Sequence, residues 1–324
     1  MAVVPPLVRL VRRRLLALAR HLPGALEGDG RALHRTRVAS RRLRELLPIL
    51  SLERDGAERT RLRKPLRRVT RALGTVRELD VVLGLLEEPE FKGAPGPAAG
   101  LVRARVSRAR TARRQEMLER LADLNLKSVD VQLRALAQAM SGTRHDRRWR
   151  AALAARLSRR ASALRDRIHE AGALYAPEAL HRARVATKKL RYALEVADES
   201  GAGPCRPEVR TLKRTQDTLG QLHDLQVLEM QVRDADARVS GSSRGQARSL
   251  AALAGVVDGE CRALHARYVA LAPKASAVCD RVLREIAPAV RASAVVDVAT
   301  PAPVKMTLET VGTEPAVKEA SPGL

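Results

Sequence analysis

A block of twelve residues occurs twice in this chain. Leu33-His34-Arg35-Thr36-Arg37-Val38-Ala39-Ser40-Arg41-Arg42-Leu43-Arg44 returns as Leu180-His181-Arg182-Ala183-Arg184-Val185-Ala186-Thr187-Lys188-Lys189-Leu190-Arg191, an offset of 147 residues (34 to 181). A second pair follows in register, Leu73–Val81 against Leu219–Val227, at an offset of 146 (73 to 219). Two matched blocks in the same order, one residue apart in spacing, make the chain two copies of one unit meeting near Ser141-Gly142.

The unit is helical. Aromatic residues are 2% of the 324, so Leu, Ala and Val must fill a core drawn from 45% hydrophobic residues, and with Arg they favour helix over strand. The expected class is all-α, two tandem helical bundles, with one half over 1–142 and the other over 143–289. Each opens with a helix (6–22 and 144–172) and continues with a His/Arg helix (31–49 and 177–199). A second basic helix follows (56–74 and 205–220), then a shorter one (77–88 and 223–238). Pro177 and Glu178 suit a helix start, the first by its fixed φ and the second by the dipole. Beyond about Pro288 the helical period fades into Pro, Thr, Val and Ala, and residues 290–324 read as a disordered tail.

The repeated block carries the chemistry. At about 100° per residue, His34, Arg37, Arg41 and Arg44 share one face of a helix, opposite Ala39, Leu43, Leu46 and Leu47. The second copy sets His181, Arg184, Lys188 and Arg191 opposite Ala186, Leu190, Ala193 and Leu194. Each is a rail of cations about 15 Å long, at about 1.5 Å per residue. Its sequence holds no acid before Glu45 or Glu195. The next helix repeats the theme with Lys64, Arg67, Arg68 and Arg71, matched by Arg210, Lys213 and Arg214, but Asp217 replaces the fourth cation. Arg103, Arg110 and Arg114 suggest a third stripe. Arg77, Glu78, Asp80 and Asp224 follow a Leu-Gly step and read as helix caps or tethers for a neighbouring Arg.

Sixty Lys and Arg against 36 Asp and Glu give a net charge of +24, which attracts polyanions over long range. Charge alone leaves nucleic acid, an anionic membrane and polyphosphate open. Rows of Arg forks and mobile Lys charges at helical spacing suit a flexible chain of phosphates. His34 and His181, at the start of each rail, are expected to gain charge near neutrality. Cys205, Cys261 and Cys279 lie far apart, which argues against a disulfide framework or a zinc site. No apolar run approaches the ~18 residues of a membrane span, and the Arg-interleaved N-terminus reads as a first amphipathic helix rather than a targeting peptide. The expected location is the cytoplasm.

The block L-H-x-x-R-V-A-[ST]-[RK]-[RK]-L-R at Leu33–Arg44 and Leu180–Arg191 resembles the CHAD domain family, named for a histidine in an α-helical domain. L-G-x-x-R-[DE]-L-D-V at Leu73–Val81, with its variant at Gln216–Asp224, is similar to the family's second motif. The resemblance spans about residues 5 to 289. It implies two bundles related by a pseudo-two-fold, basic helices lining a central groove or pore, binding of inorganic polyphosphate and association with polyphosphate granules. Carried over by position, it implies contacts from His34, Arg37, Arg41, Arg44, His181, Arg184, Lys188 and Arg191. Lys64, Arg67, Arg210, Lys213 and Arg214 follow, with Arg42 and Lys189 at the margin. No E-x-E-x-K run of a fused triphosphate-tunnel domain occurs, so the chain resembles the stand-alone version.

Two rival readings are weaker. Scattered single aromatics (Phe91, Trp149, Tyr175, Tyr192, Tyr268) give base stacking little to work with, so only weak, non-specific nucleic-acid binding at low salt is expected. Phosphate transfer would need an acid beside the histidines, and neither a Walker A loop nor a carboxylate cluster for Mg²⁺ occurs. No enzyme activity, cofactor or metal is expected.

Overall fold

The structure is a computed structural model that describes residues 4–50, 52, 56–93, 97–139, 143–239 and 244–296. No strand occurs among them. The helices are α1 (Pro6–Glu27), α2 (Gly30–Leu50), α3 (Gly56–Leu85), α4 (Pro89–Lys92), α5 (Ala98–Ala122) and α6 (Leu126–Ala139). Then come α7 (Thr143–Ala171), α8 (Pro177–Glu199), α9 (Arg206–Val239), α10 (Arg244–Arg281) and, after a π turn over Val282–Ile286, α11 (Ala287–Val296).

The expected His/Arg helices are α2 and α8. Gly28 ends α1 in the left-handed region (φ 105°), where a side chain would be strained. The Asp29 carboxylate then accepts from the Arg31 N–H at 2.8 Å as α2 begins. Two boundaries differ from expectation. Residues 56–74 and 77–88 belong to one helix as far as Leu85, and 205–220 and 223–238 likewise run on as α9. Buried Leu73 and Val76, like Leu219 and Leu222, carry the apolar period straight through Gly74 and Gly220. With no helix starting at 77 or 223, Glu78 and Asp224 cap nothing.

Residues 290–296, expected in the tail, are helical. Pro288 lies in the first turn of α11, where its missing N–H is tolerated, and the π turn before it relieves its clash with the preceding carbonyls. Val290 is fully buried, and α11 packs on α7. Residues 297–324 lie outside the described residues.

Within each half, α1 packs on α2, α2 on α3 and α3 on α5, while α7 packs on α8, α8 on α9 and α9 on α10. Across the midpoint α2 meets α8 and α3 meets α9, so the helices that carry matching sequence blocks face each other. Two of the three apolar cores mix the halves: one joins Leu43, Leu46 and Leu66 to Leu190, Leu194 and Leu212, the other Val82 and Val102 to Leu222 and Tyr268. The third, around Leu33, Leu73 and Met117, belongs to the first half.

Arginines also cross the midpoint. Arg156 and Arg160 of α7 hold Glu45 of α2 at 2.8 and 2.7 Å. In the reverse direction Arg13 and Arg14 of α1 reach Glu199 of α8 at 3.3 and 3.5 Å, and Arg42 of α2 reaches Glu195 at 3.1 Å. Arg14 donates to the Arg42 carbonyl and Arg160 to the Lys189 carbonyl. Both donors and both acceptors are one repeat apart (14 to 160, 42 to 189).

Burial pushes the Glu45 carboxyl up, but Arg160 and Arg156 outweigh it and hold the group below its ordinary value. Its contribution to stability is therefore present above the unfolded-state value and lost as pH falls through the lower folded value. Glu45→Gln leaves two arginines without their acid. We expect a loss of about 2–4 kcal/mol at pH 7 in denaturant titration, shrinking below about pH 4.

Candidate functional site

Bringing α2 beside α8 and α3 beside α9 turns both rails inward. A cavity of about 420 Å³ opens between these four helices, lined by His34, Arg37 and Arg41 of α2, Arg184, Lys188 and Arg191 of α8, and Lys213 of α9. A second cavity of about 390 Å³ adds Arg44, Glu45, Arg71 and Lys189 and shares Arg37, Arg41 and Lys188 with the first, so the two are neighbours. A third, of about 450 Å³, adjoins through Arg77, Val81 and Asp224 and is lined beyond them by Glu88, Glu90 and Glu260. The groove is thus cationic through its middle and at one end, and acidic at the other.

The central basic groups make no ion pair of their own. Arg37, Arg41, Arg184 and Lys188 are half-buried, and among the described residues none forms an ion pair. The Nε of Arg37 is buried with no hydrogen-bond partner. Burial, then Arg41, Arg184 and Arg37, pushes the Lys188 ammonium down to about 6. Burial and Arg41 bring the Arg37 guanidinium down to about 10. The Arg184 guanidinium is lowered by burial too, with Asp224 pulling the other way. In water each charge would be solvated; here they crowd one another in a less polar cleft.

The histidines stand at the margin of this cluster. His34 lines the cavity, while His181 lies against His223 with ring centroids 5.0 Å apart, and His223 is the one that faces the cavity. The expectation that His34 and His181 gain charge near neutrality is corrected. Burial and then Arg77 push His34 below its ordinary value, and burial and then Arg184 do the same to His181. His223 falls to about 4, from burial, Arg184 and His181 in that order. In all three the surroundings disfavour the charged form.

The remaining expected residues are placed unequally. Arg191 lines the cavity but is buried, pairing with Glu195, donating to Gln216 Oε1 at 2.9 Å and lying 4.7 Å over the Tyr192 ring. Lys213 pairs with Asp217, the residue that breaks the symmetry, at 2.6 Å. Lys64, Arg67, Arg210 and Arg214 are exposed and line none of these cavities, though the positive field of Arg67 reaches Arg44. The third stripe is a set of structural ties. Arg103 donates to the Leu86 carbonyl at 3.0 Å, Arg110 to Asp80 at 2.5 Å and Arg114 to the Leu26 carbonyl at 2.8 Å. Arg110 and Arg114 hold the end of α1, where helix carbonyls lack internal partners. The tether reading of Asp80 is met by Arg110.

The sequence set Arg77, Glu78 and Asp224 aside as caps or tethers, counted Tyr192 as a scattered aromatic and gave His223 no role, yet all five line the groove. Glu78 and Asp224 are one repeat apart (78 to 224), and that match was the signal available. Burial raises the Asp224 carboxyl although Arg184, Arg77 and Arg37 oppose it. The rails are therefore not without acids in space. Glu78 of α3 and Asp217 and Asp224 of α9 line the first cavity, and Glu45 of α2 lines the second. Among the described residues no helix is long and apolar enough to cross a membrane, and no three His, Cys, Asp or Glu are grouped to hold a metal.

Comparison with known proteins agrees with this architecture. The family model described as CHAD domain matches residues 9–233. The crystal structure of the CHAD domain from the plant Ricinus communis is similar with a TM-score of 0.57 at 22% identity, over 85% of this chain and 90% of that one. PptA from Streptomyces chartreusis is similar with a TM-score of 0.59 at 17% identity, over 82% of this chain and 97% of that one. At such identities the two structures speak for the fold alone. No protein of curated function matches the sequence. A family model covering well over half of a chain that also shares the fold leaves one conclusion, that this chain belongs to the CHAD domain family.

Proposed function

We propose that this chain binds inorganic polyphosphate along the groove between α2, α8, α3 and α9, its two halves acting as an approximately two-fold pair of cationic walls. The observation that carries the reading is the set of four half-buried basic side chains, Arg37, Arg41, Arg184 and Lys188, which share one cleft and form no ion pair with a carboxylate among the described residues. Such a cluster destabilises the protein alone and is relieved by a ligand that brings negative charge and acceptors in repeated units. A linear phosphate chain does this, because each unit offers oxygens to an Arg fork or a Lys ammonium. The CHAD domain is linked to polyphosphate binding in general, and the family is generally a binding rather than a catalytic one.

The residues we assign to the ligand are Arg37, Arg41, Arg44, Arg184 and Lys188, with His34 donating a hydrogen bond and His181 shaping the site through His223. Arg191 and Lys213 carry partners of their own and act by field and position. Exposed Lys64, Arg67, Arg210 and Arg214 extend the positive field outside the cleft. Glu78 and Asp224 balance part of the charge and oppose binding on their side of the groove. Association with polyphosphate granules follows if the same groove takes one segment of a long chain that other copies also hold.

Polyphosphate binding at about 150 mM salt, where diffuse attraction is screened beyond ~8 Å, tests this directly. Arg37→Ala/Arg184→Ala should weaken long-chain polyphosphate at least about thirtyfold, since each lost charge-assisted contact is worth ~1.5–3 kcal/mol. Arg113→Ala/Arg134→Ala, which removes equal charge from exposed positions, should weaken it only a few-fold. Duplex DNA and tRNA at equal phosphate concentration should compete poorly, and no orthophosphate should be released during the incubation. Equal losses in the two variants would refute a built site.

Lys188 provides an independent check. Its folded value lies near 6, so between there and the unfolded 10.5 the unfolded chain binds more protons and stability rises with pH. Without ligand, Lys188→Met should therefore raise the melting temperature, most below pH 6 and not at all by about pH 10.5. Saturating polyphosphate should reverse the order and leave the Lys188 protein the more stable of the two.

A further inference from the structure

Outside the groove, on the other side of α2, a separate cavity of about 330 Å³ lies between α1, α2 and the end of α8. Arg13, Arg14, Arg35 and Arg42 line it together with His34, and Glu199 is the acid among its lining residues. None of Arg13, Arg14 or Arg35 takes part in the groove. Arg14 is unusual for an arginine in being 4% exposed. It donates to the Arg42 carbonyl at 3.0 Å through Nη1, but its Nη2 is buried without a hydrogen bond, 3.5 Å from Glu199 Oε1. The Arg42 Nε is likewise buried and unpartnered. A buried charged donor without an acceptor costs about 1–3 kcal/mol, and two in one pocket call for an acceptor richer than a single carboxylate.

Charge points the same way. Of the four guanidinium groups, Arg42 pairs with Glu195 at 3.1 Å, which leaves Arg13 (3.3 Å), Arg14 (3.5 Å) and Arg35 around the single carboxylate of Glu199. Arg13 is 65% exposed, so this pairing can open to solvent with little rearrangement. A tetrahedral phosphate has more acceptor oxygens than a carboxylate and suits several Arg forks at once. The cavity has the volume of about ten waters at ~30 Å³ each, more than one phosphate needs.

We propose that this pocket is a second phosphate site, in which an oxyanion the size of pyrophosphate replaces Glu199 as the partner of Arg13 and Arg14. Because His34 lines both cavities, the phosphate has two sources: a free small phosphate, or a unit of a long chain that leaves the groove past His34.

The test uses the full chain carrying Arg37→Ala/Arg184→Ala, which removes two of the groove's basic groups; Arg13→Ala/Arg35→Ala on that background then reads the pocket, so failure of the groove reading and failure of this one are separable. Calorimetric titration with pyrophosphate at about 150 mM salt should show one molecule bound per chain. Adding Arg13→Ala/Arg35→Ala, both exposed and tolerable to the fold, should weaken binding at least tenfold. Glu199→Gln should strengthen it several-fold, whereas a purely structural Glu199 would change stability and leave the affinity alone. The proposal fails if the groove-depleted chain binds no pyrophosphate, or if Arg13→Ala/Arg35→Ala leaves its affinity unaltered. In the chain with an intact groove, loss of long-chain affinity in Arg13→Ala/Arg35→Ala, with pyrophosphate competing, supports a unit of the same chain. Unchanged long-chain affinity, with pyrophosphate binding lost, supports a free small phosphate.

Discussion

Carboxylates of each half are held by arginines of the other, and these crossed pairs frame the groove. Glu45 sits between Arg156 and Arg160; Glu195 and Glu199 face Arg42, Arg13 and Arg14. These pairs flank the line where α2 meets α8, and behind them Leu43 and Leu46 pack in one core with Leu190 and Leu194. Without such ties, two helices each bearing a row of cations would turn those rows away from one another. The partly buried pairs contribute specificity of arrangement as much as stability, since desolvating their charges offsets much of the attraction.

What the arrangement holds in place is unfavourable by itself. Lys188, whose ammonium falls to about 6, reports how strongly its surroundings resist another positive charge. Arg37 and Arg184 are depressed by the same burial. Crowding these basic groups in one cleft offsets part of the folding free energy, and the polyanion proposed as ligand would relieve it on binding. Preorganisation of this kind is why a rigid helical frame serves better than a flexible basic tail, which would have to be ordered when it bound. Glu78 and Asp224 moderate the repulsion, and the acids Glu88, Glu90 and Glu260 limit how far the positive field extends.

Legibility from sequence divides by the range of the interaction. The inward face of α2 could be read because helical period alone puts His34, Arg37, Arg41 and Arg44 opposite Leu43, Leu46 and Leu47, and those leucines are buried. The same period sets Arg184 and Lys188 opposite Leu190 and Leu194. Arg191 could not be judged this way, because Gln216, which accepts from it, comes from another helix. Arg103, Arg110 and Arg114 looked like a third cationic stripe and proved to be anchors for backbone carbonyls and Asp80, a role visible only once α5 lies on α3 and beside the end of α1. The Leu-Gly steps suggested breaks at 74 and 220, yet packing of Leu73, Val76, Leu219 and Leu222 carried both helices through.

By itself the sequence determined that the chain is all-helical, that it carries a duplicated cationic face, and which residues form that face, because all three follow from local periodicity and repetition. Only the tertiary structure decided that the two faces look at each other across a cleft, that Glu78, Asp224 and His223 join them there, and that Arg13 and Arg14 gather with Arg42 in a separate pocket. Those outcomes rest on contacts between different helices, some of them in opposite halves of the chain. Their geometry is set by shared cores and crossed ion pairs, which no helical period encodes.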